Sequence, residues 1–130
     1  MIRAGKGIIA MPKRVEYIPR VYERGAIPVG IYCRVSSNSV EQLRSLSAQA
    51  SELTNYVASH GNWTQIDTYL EVAPAKEEDG REQFARMLQD CKDSRIRIVV
   101  VKNISRFGRD TVEVLNSILQ VRGAGARIVF

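Results

Sequence analysis

The run Val29-Gly30-Ile31-Tyr32-Cys33 is short and nearly continuous in apolar character. A half-wet strand would alternate, so a run apolar on both sides belongs to a parallel strand covered on both faces. It stops abruptly at Arg34-Val35-Ser36, where polar residues and helix-starting chemistry follow. We read it as a buried strand that delivers Ser36 to the carboxyl edge of a sheet, where ligands and reacting groups of open parallel sheets collect. Tyr32 and Arg34 alternate with Ser36 and share its face while the extended geometry persists. An arginine there is costly to bury without an anionic partner, which points to a phosphate or carboxylate nearby. The plainer alternatives are a turn or capping serine and a surface arginine, so the functional reading needs partners elsewhere in the chain.

Residues 1–27 contain prolines and glycines without helical period and read as an extended or disordered basic leader, with Val15, Tyr17 and Val21 able to dock a short piece on the body. After the first strand, Ser39 and Gln42 form a capping box. Leu43, Leu46, Ala50, Leu53 and Val57 then share one helical face running to about His60, with Gly61 as the stop. Ile66, Thr68 and Leu70, with Tyr69 opposite, make a second strand. The segment from Val72 to Gly80 reads as an exposed, mobile loop. Asp79 and Glu82 offer a second capping box for a helix whose Phe84, Met87, Leu88 and Cys91 face inward. Ile96 to Val101 is rich in β-branched residues and reads as a central strand. Asp110 and Glu113 then start a third helix, with Val112, Leu115, Ile118 and Leu119 inward and Gly123 and Gly125 at its end. Arg127 to Phe130 begins a last strand. The order β-α-β-α-β-α-β predicts an α/β fold: a three-layer, open, mostly parallel sheet of order 2-1-3-4 with helices on both faces.

The size, 130 residues, suits one domain, and 45% apolar with 25% charged residues suits a soluble protein. No apolar stretch approaches the roughly 20 residues that span a bilayer, and Ile8 to Met11 is too short for a signal-peptide core of about 7–15 residues. A cytoplasmic protein without membrane partners is therefore expected. Cys33 and Cys91 read as small core residues in a reducing compartment. With a single histidine, His60, and no Cys-x-x-Cys, neither a structural zinc site nor any other cofactor is expected. Six of the 19 Lys/Arg and two of the 14 Asp/Glu lie in residues 1–27, so the leader carries +4 of the net +5. Such an arm suits nucleic acid, or is a solvated tail. A phosphate site in the body must come from local clustering of arginines.

Such a cluster follows Val101. Lys102-Asn103-Ile104-Ser105-Arg106-Phe107-Gly108-Arg109-Asp110 sets two arginines three apart just ahead of a helix, a spacing that can present both guanidinium groups on one side. They oppose the helix dipole unless an anion is supplied, in which case they and the free backbone N–H groups reinforce each other. A solvated surface pair is the alternative. Because the first and third strands are neighbours in the expected order, Ser36 falls close to this segment.

The joint pattern resembles the catalytic domain of the serine recombinases, the resolvase and invertase group, over residues 28–130. The resemblance is carried by Tyr32-Cys33-Arg34-Val35-Ser36, Ser45-Leu46-Ser47-Ala48-Gln49, Asp79-Gly80-Arg81-Glu82-Gln83-Phe84 and Ser105-Arg106-Phe107-Gly108-Arg109-Asp110-Thr111. It implies a resolvase-like fold and a site-specific DNA recombinase of mobile elements. In that reading Ser36 is the nucleophile, forming a 5′-phosphoserine link while a 3′-hydroxyl leaves. It also implies Arg34, Arg81, Arg106 and Arg109 as the phosphate-binding set, Tyr32, Gln49 and Ser105 as supporting residues, and double-stranded DNA and other recombinase subunits as partners rather than a small-molecule substrate.

Ser105 replaces the aspartate that precedes Arg-x-x-Arg in resolvases, as in the large recombinases of phages and conjugative transposons. Ala73 to Glu78 replaces the usual Ser-Gly turn, and Glu82 the proline after Arg81. The chain is expected to end before the family's dimerisation helix and DNA-binding region, so that residues 1–130 fold but do not recombine DNA on their own. The chemistry also suits the residues directly: phosphoryl transfer needs a positioned nucleophile and concentrated positive charge, and four arginines would supply the latter. No histidine or carboxylate stands out as the base for the serine. Two rival readings stand beside this one. A catalytically silent, truncated recombinase acting as a folding or association module is one. A doubly wound ligand-binding or receiver-like domain is the other, although the chain lacks the acidic cluster of a receiver and any Gly-x-Gly-x-x-Gly after the first strand.

Overall fold

The computed structural model describes residues 26–72 and 81–130. The expectations for the leader up to residue 25, for the loop from Ala73 to Gly80 and for Asp79 as a cap lie outside the described residues. The elements are β1 (Ile27–Val35), α1 (Val40–Ala58), β2 (Trp63–Val72), α2 (Glu82–Lys92), β3 (Ile98–Val101), a short 3₁₀ turn (Ile104–Phe107), α3 (Thr111–Gly123) and β4 (Arg127–Val129). All neighbouring strands are parallel, in the order β2-β1-β3-β4, as the alternation of strand and helix signals predicts. Among the described residues no helix is long and apolar enough to cross a membrane.

This order dictates where the helices go. The chain steps outward from β1 to β2, then reverses across β1 to β3 and on to β4, so right-handed crossovers put α1 on one face and α2 and α3 on the other. Strand alternation divides the core accordingly. Val29, Ile31, Cys33, Val35, Ile98 and Val100 pack with Leu46, Leu53 and Val57 of α1. Tyr32, Tyr69, Val99 and Val101 pack with Phe84, Met87, Cys91, Phe107 and Val121 on the opposite side. Both cysteines are buried and free, as expected.

Several local expectations need correction. β1 begins at Ile27, inside the stretch assigned to the leader, because the Ile27 N–H reaches the carbonyl of Asn62 at 2.7 Å ahead of β2. α1 ends at Ala58 with Ser59 as its cap; Gly61 has no left-handed backbone and plays no part in the stop. Leu43, placed on the inner face of α1, is exposed. The inner face of β2 is Tyr69 and Glu71, whereas Ile66 and Leu70 are exposed on this edge strand. On α3, Val112, Leu115 and Leu119 are 68%, 53% and 68% exposed; of the expected inward set Ile118 alone faces the sheet, joined by Val114, Ser117 and Val121. Apolar residues line both sides of this helix, so periodicity could not select the face. Contacts made by Ser117, described below, do.

Gly30 shows how closely the layers approach. A Cβ there would lie 2.8 Å from the Ile96 Cδ1 and 2.9 Å from the Tyr69 ring, both fully buried. The β1–β2 register also shifts at Val29/Gly30. Gly30→Ala is expected to lower stability by about 1–3 kcal/mol through overpacking, as measured by urea denaturation.

Candidate active site

Parallel pairing of β1 with β3 ends at Tyr32 opposite Val101, while β1 itself continues to Val35. Beyond that last pair, the Arg34 backbone has lost its neighbour. Gln49 of α1, 1% exposed, replaces the missing strand: its Oε1 accepts the Arg34 N–H at 3.4 Å and its Nε2 donates to the Arg34 carbonyl at 3.3 Å. This holds the end of β1 extended up to Ser36, which lies exposed at the carboxyl edge, the edge where β3 leads into the turn bearing Ser105 and Arg106.

Ser36 is tied to α1. Its N–H and Oγ–H both face Gln42 Oε1, at 3.3 and 3.5 Å. The expected capping box is thus half formed. Ser39 Oγ accepts the Gln42 N–H at 3.2 Å, but the Ser39 N–H is met by Ser37 Oγ, which leaves the Gln42 side chain free to reach back to Ser36.

The four arginines fall into distinct environments. Arg34 is only 9% exposed, its Nε is buried without a partner, and its guanidinium makes no hydrogen bond or ion pair with the described residues. Burying an unpaired guanidinium is expensive. Arg106 also has a buried Nε without a partner among the described residues. It lies near enough to Cys33 to pull that thiol down, against a burial effect that pushes it up to about 11. Cys33 is therefore protonated near neutrality and does not compete as a nucleophile. Arg81, the N-cap residue of α2, stacks over Phe84 at 4.0 Å. It donates to the Phe107 carbonyl (3.0 Å), Ser117 Oγ (2.9 Å) and Glu113 Oε2 (3.3 Å). Ser117 Oγ in turn donates within 2.8 Å of the Phe107 carbonyl, which fixes the face that α3 presents. Arg109 shares Glu113 with Arg81 through an ion pair of 3.5 Å.

Tyr32 supports this group from below. Its hydroxyl donates to Glu71 Oε1 at 2.8 Å. Burial, then the charge and hydrogen bond of Glu71, push its pKa above the usual tyrosine range, outweighing Arg81 and Arg34. Tyr32 is therefore a fixed donor and not a base. Glu71 itself is 3% exposed and accepts the Gln83 and Phe84 N–H groups, both at 3.0 Å. It thereby caps α2 from β2, because Arg81 at the N-cap position offers no side-chain cap.

The structure thus brings Arg34 and Arg81 to the Tyr32 side of the sheet and joins Arg81 to Arg109 through Glu113. It sets Ser36 at the same edge, without a hydrogen bond to Arg34, Arg81 or Arg106. Ser105 is exposed on the 3₁₀ turn, where its Oγ donates to Asn103 Oδ1 at 2.5 Å, apart from the other residues. Gln42, Glu71, Glu113 and Ser117 were not singled out for the site from sequence. A signal for Glu71 existed: it alternates with Tyr69, the one apolar residue placed opposite Ile66, Thr68 and Leu70.

The family described as "Resolvase, N terminal domain" matches residues 29–130, and the chain belongs to that family. A resolvase family site-specific recombinase from Streptococcus pneumoniae is 28% identical with a TM-score of 0.66, over 78% of this chain and 70% of that chain. The N-terminal catalytic domain of TP901-1 integrase is 25% identical with a TM-score of 0.62, over 78% and 75%. A serine recombinase from Sulfolobus solfataricus, 24% identical over 78% and 67% with a TM-score of 0.58, shares the fold. No protein of curated function matches the chain in sequence.

Removing the Glu71 carboxylate strands three donors from two elements, the Tyr32 hydroxyl of β1 and two N–H groups of α2. Glu71→Ala is expected to cost roughly 2–4 kcal/mol, whereas Tyr32→Phe, which removes one donor and leaves the cap, should cost about 1 kcal/mol. Denaturation of both variants and of the double variant checks this; equal single losses would contradict it.

Proposed function

We propose that this domain is the catalytic part of a site-specific DNA recombinase that cuts and rejoins double-stranded DNA through a 5′-phosphoserine intermediate on Ser36, in the cytoplasm and together with other recombinase subunits. The observation that carries the reading is the buried Arg34 guanidinium, unpartnered among the described residues and two residues ahead of an exposed serine, at the sheet edge that also bears Arg81, Arg106 and Arg109. The family's structural relatives named above as recombinases support it.

In this mechanism Ser36 Oγ forms a bond to the phosphorus of a DNA phosphodiester as the bond to the 3′-oxygen breaks. The serine proton is lost to the surroundings, and the 3′-oxygen leaves as a hydroxyl. The reverse attack by a 3′-hydroxyl on the phosphoserine rejoins the strand. Charge builds on the non-bridging oxygens during transfer, and preorganised cations lower the barrier most. Arg34, Arg81, Arg106 and Arg109 supply that charge. Gln49 keeps the Arg34 backbone extended, Tyr32 anchors Glu71 beneath the arginines, and Ser105 supports the turn. Gln42 Oε1 accepts a hydrogen bond from the Ser36 hydroxyl and so positions it.

In a recombinase assembled with this domain, Ser36→Ala is expected to abolish the covalent protein–DNA adduct with fold and DNA binding nearly intact. Arg106→Ala or Arg109→Ala should slow cleavage about 10²–10³-fold each. Denaturing electrophoresis of the trapped adduct, with peptide mapping of the attachment site, checks both. Full adduct formation by Ser36→Ala would assign the attack to another residue, Ser37 first.

A further inference from the structure

Glu113 sits where an anion is wanted. Its Oε2 lies 3.3 Å from Arg81 Nη1, and its Oε1 lies 2.6 Å from the Arg109 backbone N–H and 3.5 Å from the Arg109 Nε. Burial alone would push this carboxyl up, but the Arg109 N–H and the charges of Arg81 and Arg109 hold it below the usual carboxylate range, so it is ionised at neutral pH. The local chain explains the placement. Asp110 caps α3 by accepting the Glu113 N–H at 2.9 Å, while the Glu113 side chain passes the cap and reaches back to Arg109. Gly108 leaves room for it, since a Cβ there would lie 2.8 Å from both Glu113 Cβ and Cγ. Arg81, Arg109, Glu113, Asn116, Ser117 and Gln120 line an open cleft of about 390 Å³, so a ligand can reach the carboxylate from solvent.

Among the described residues, by contrast, the Arg34 guanidinium meets no carboxylate, and the Nε of Arg106 is unpartnered; the Nε of Arg81 is unpartnered too, so that its hold on Glu113 is through Nη1 alone. We propose that Glu113 is an internal stand-in for the DNA phosphate: in the free domain its carboxylate occupies Arg81 and Arg109, and a phosphate engages those two arginines only by displacing it. The proposal rests on the reading of the four arginines as the phosphate-binding set, and adds an order to it. Phosphate meets Arg34 and Arg106 first, and the second pair closes on it after the carboxylate leaves.

The test is titration of the isotope-labelled full chain with inorganic phosphate at constant ionic strength, following the arginine Nε–H and Glu113 carboxylate-carbon signals by NMR. Glu113→Gln keeps an oxygen for the Arg109 N–H and removes the competing charge. It should bind phosphate about 5–10-fold more tightly. Asp93→Asn, the same change of net charge at the far edge of the sheet, should stay within about twofold. In the unsubstituted chain the Glu113 carbon signal should move with those of Arg81 and Arg109 as phosphate saturates, a measurement that decides the matter if Glu113→Gln does not fold. Equal or weaker binding by Glu113→Gln, or a stationary Glu113 signal while the arginine signals move, would overturn the proposal and leave the phosphate site standing. Phosphate that moves none of the four arginine signals in either protein would overturn the site reading and the proposal with it.

Discussion

The site depends on strand β1 outrunning its neighbour. Pairing with β3 ends at Tyr32, yet β1 stays extended to Val35 because β2 continues beside it and Gln49 takes over the Arg34 backbone groups on the side that β3 has vacated. An unpaired strand end would turn away to satisfy its polar groups in water. Held straight, it buries the Arg34 guanidinium and sets Ser36 above the end of β3, where the chain must turn into the segment carrying Arg106 and Arg109. The shortness of β3 is therefore as important as the length of β1.

Two carboxylates organise the positive charge. Glu71 is the buried one: it joins β2, the Tyr32 hydroxyl and the first N–H groups of α2, and so sets the orientation from which Arg81 extends. Glu113 is half open to solvent and holds Arg81 and Arg109 in one cleft. Neither neutralises Arg34. Among the described residues the arrangement leaves the most buried arginine without a counter-ion while the more accessible Arg81 and Arg109 share one, the reverse of what folding stability alone would favour. Sites that violate local rules in this way are where function is expected to reside.

Much of this was legible along the chain. The two apolar runs ending at Cys33 and Val101 had to be central parallel strands, because nothing else covers a strand on both faces. Three helical segments between four strands then gave the layers, and the expected strand order 2-1-3-4 is the one observed. Ser36, Arg106 and Arg109 could be placed at one edge because parallel strands bring their carboxyl ends together. The inward faces of α2 and most of α1 followed from spacing. Those of β2 and α3 did not: Leu70 and Leu119 are as apolar as the residues that are buried, and the observed face of α3 is the one that docks Ser117 against Phe107 and Arg81 beside Val114, Ile118 and Val121.

By itself, then, the sequence determined the architecture, since that follows from hydrophobic period and chain order, and it set Ser36 and the Arg106 to Arg109 segment after neighbouring strands; Arg81 and Gln49 were named only through the family resemblance. The tertiary structure decided which polar partner each of those residues takes. Glu71 capping α2 across 12 residues, Gln49 standing in for a strand across 15 and Glu113 reaching Arg81 across 32 leave no local pattern. A hydrogen bond between distant residues is a property of their final positions, and neither partner's immediate neighbours along the chain record it.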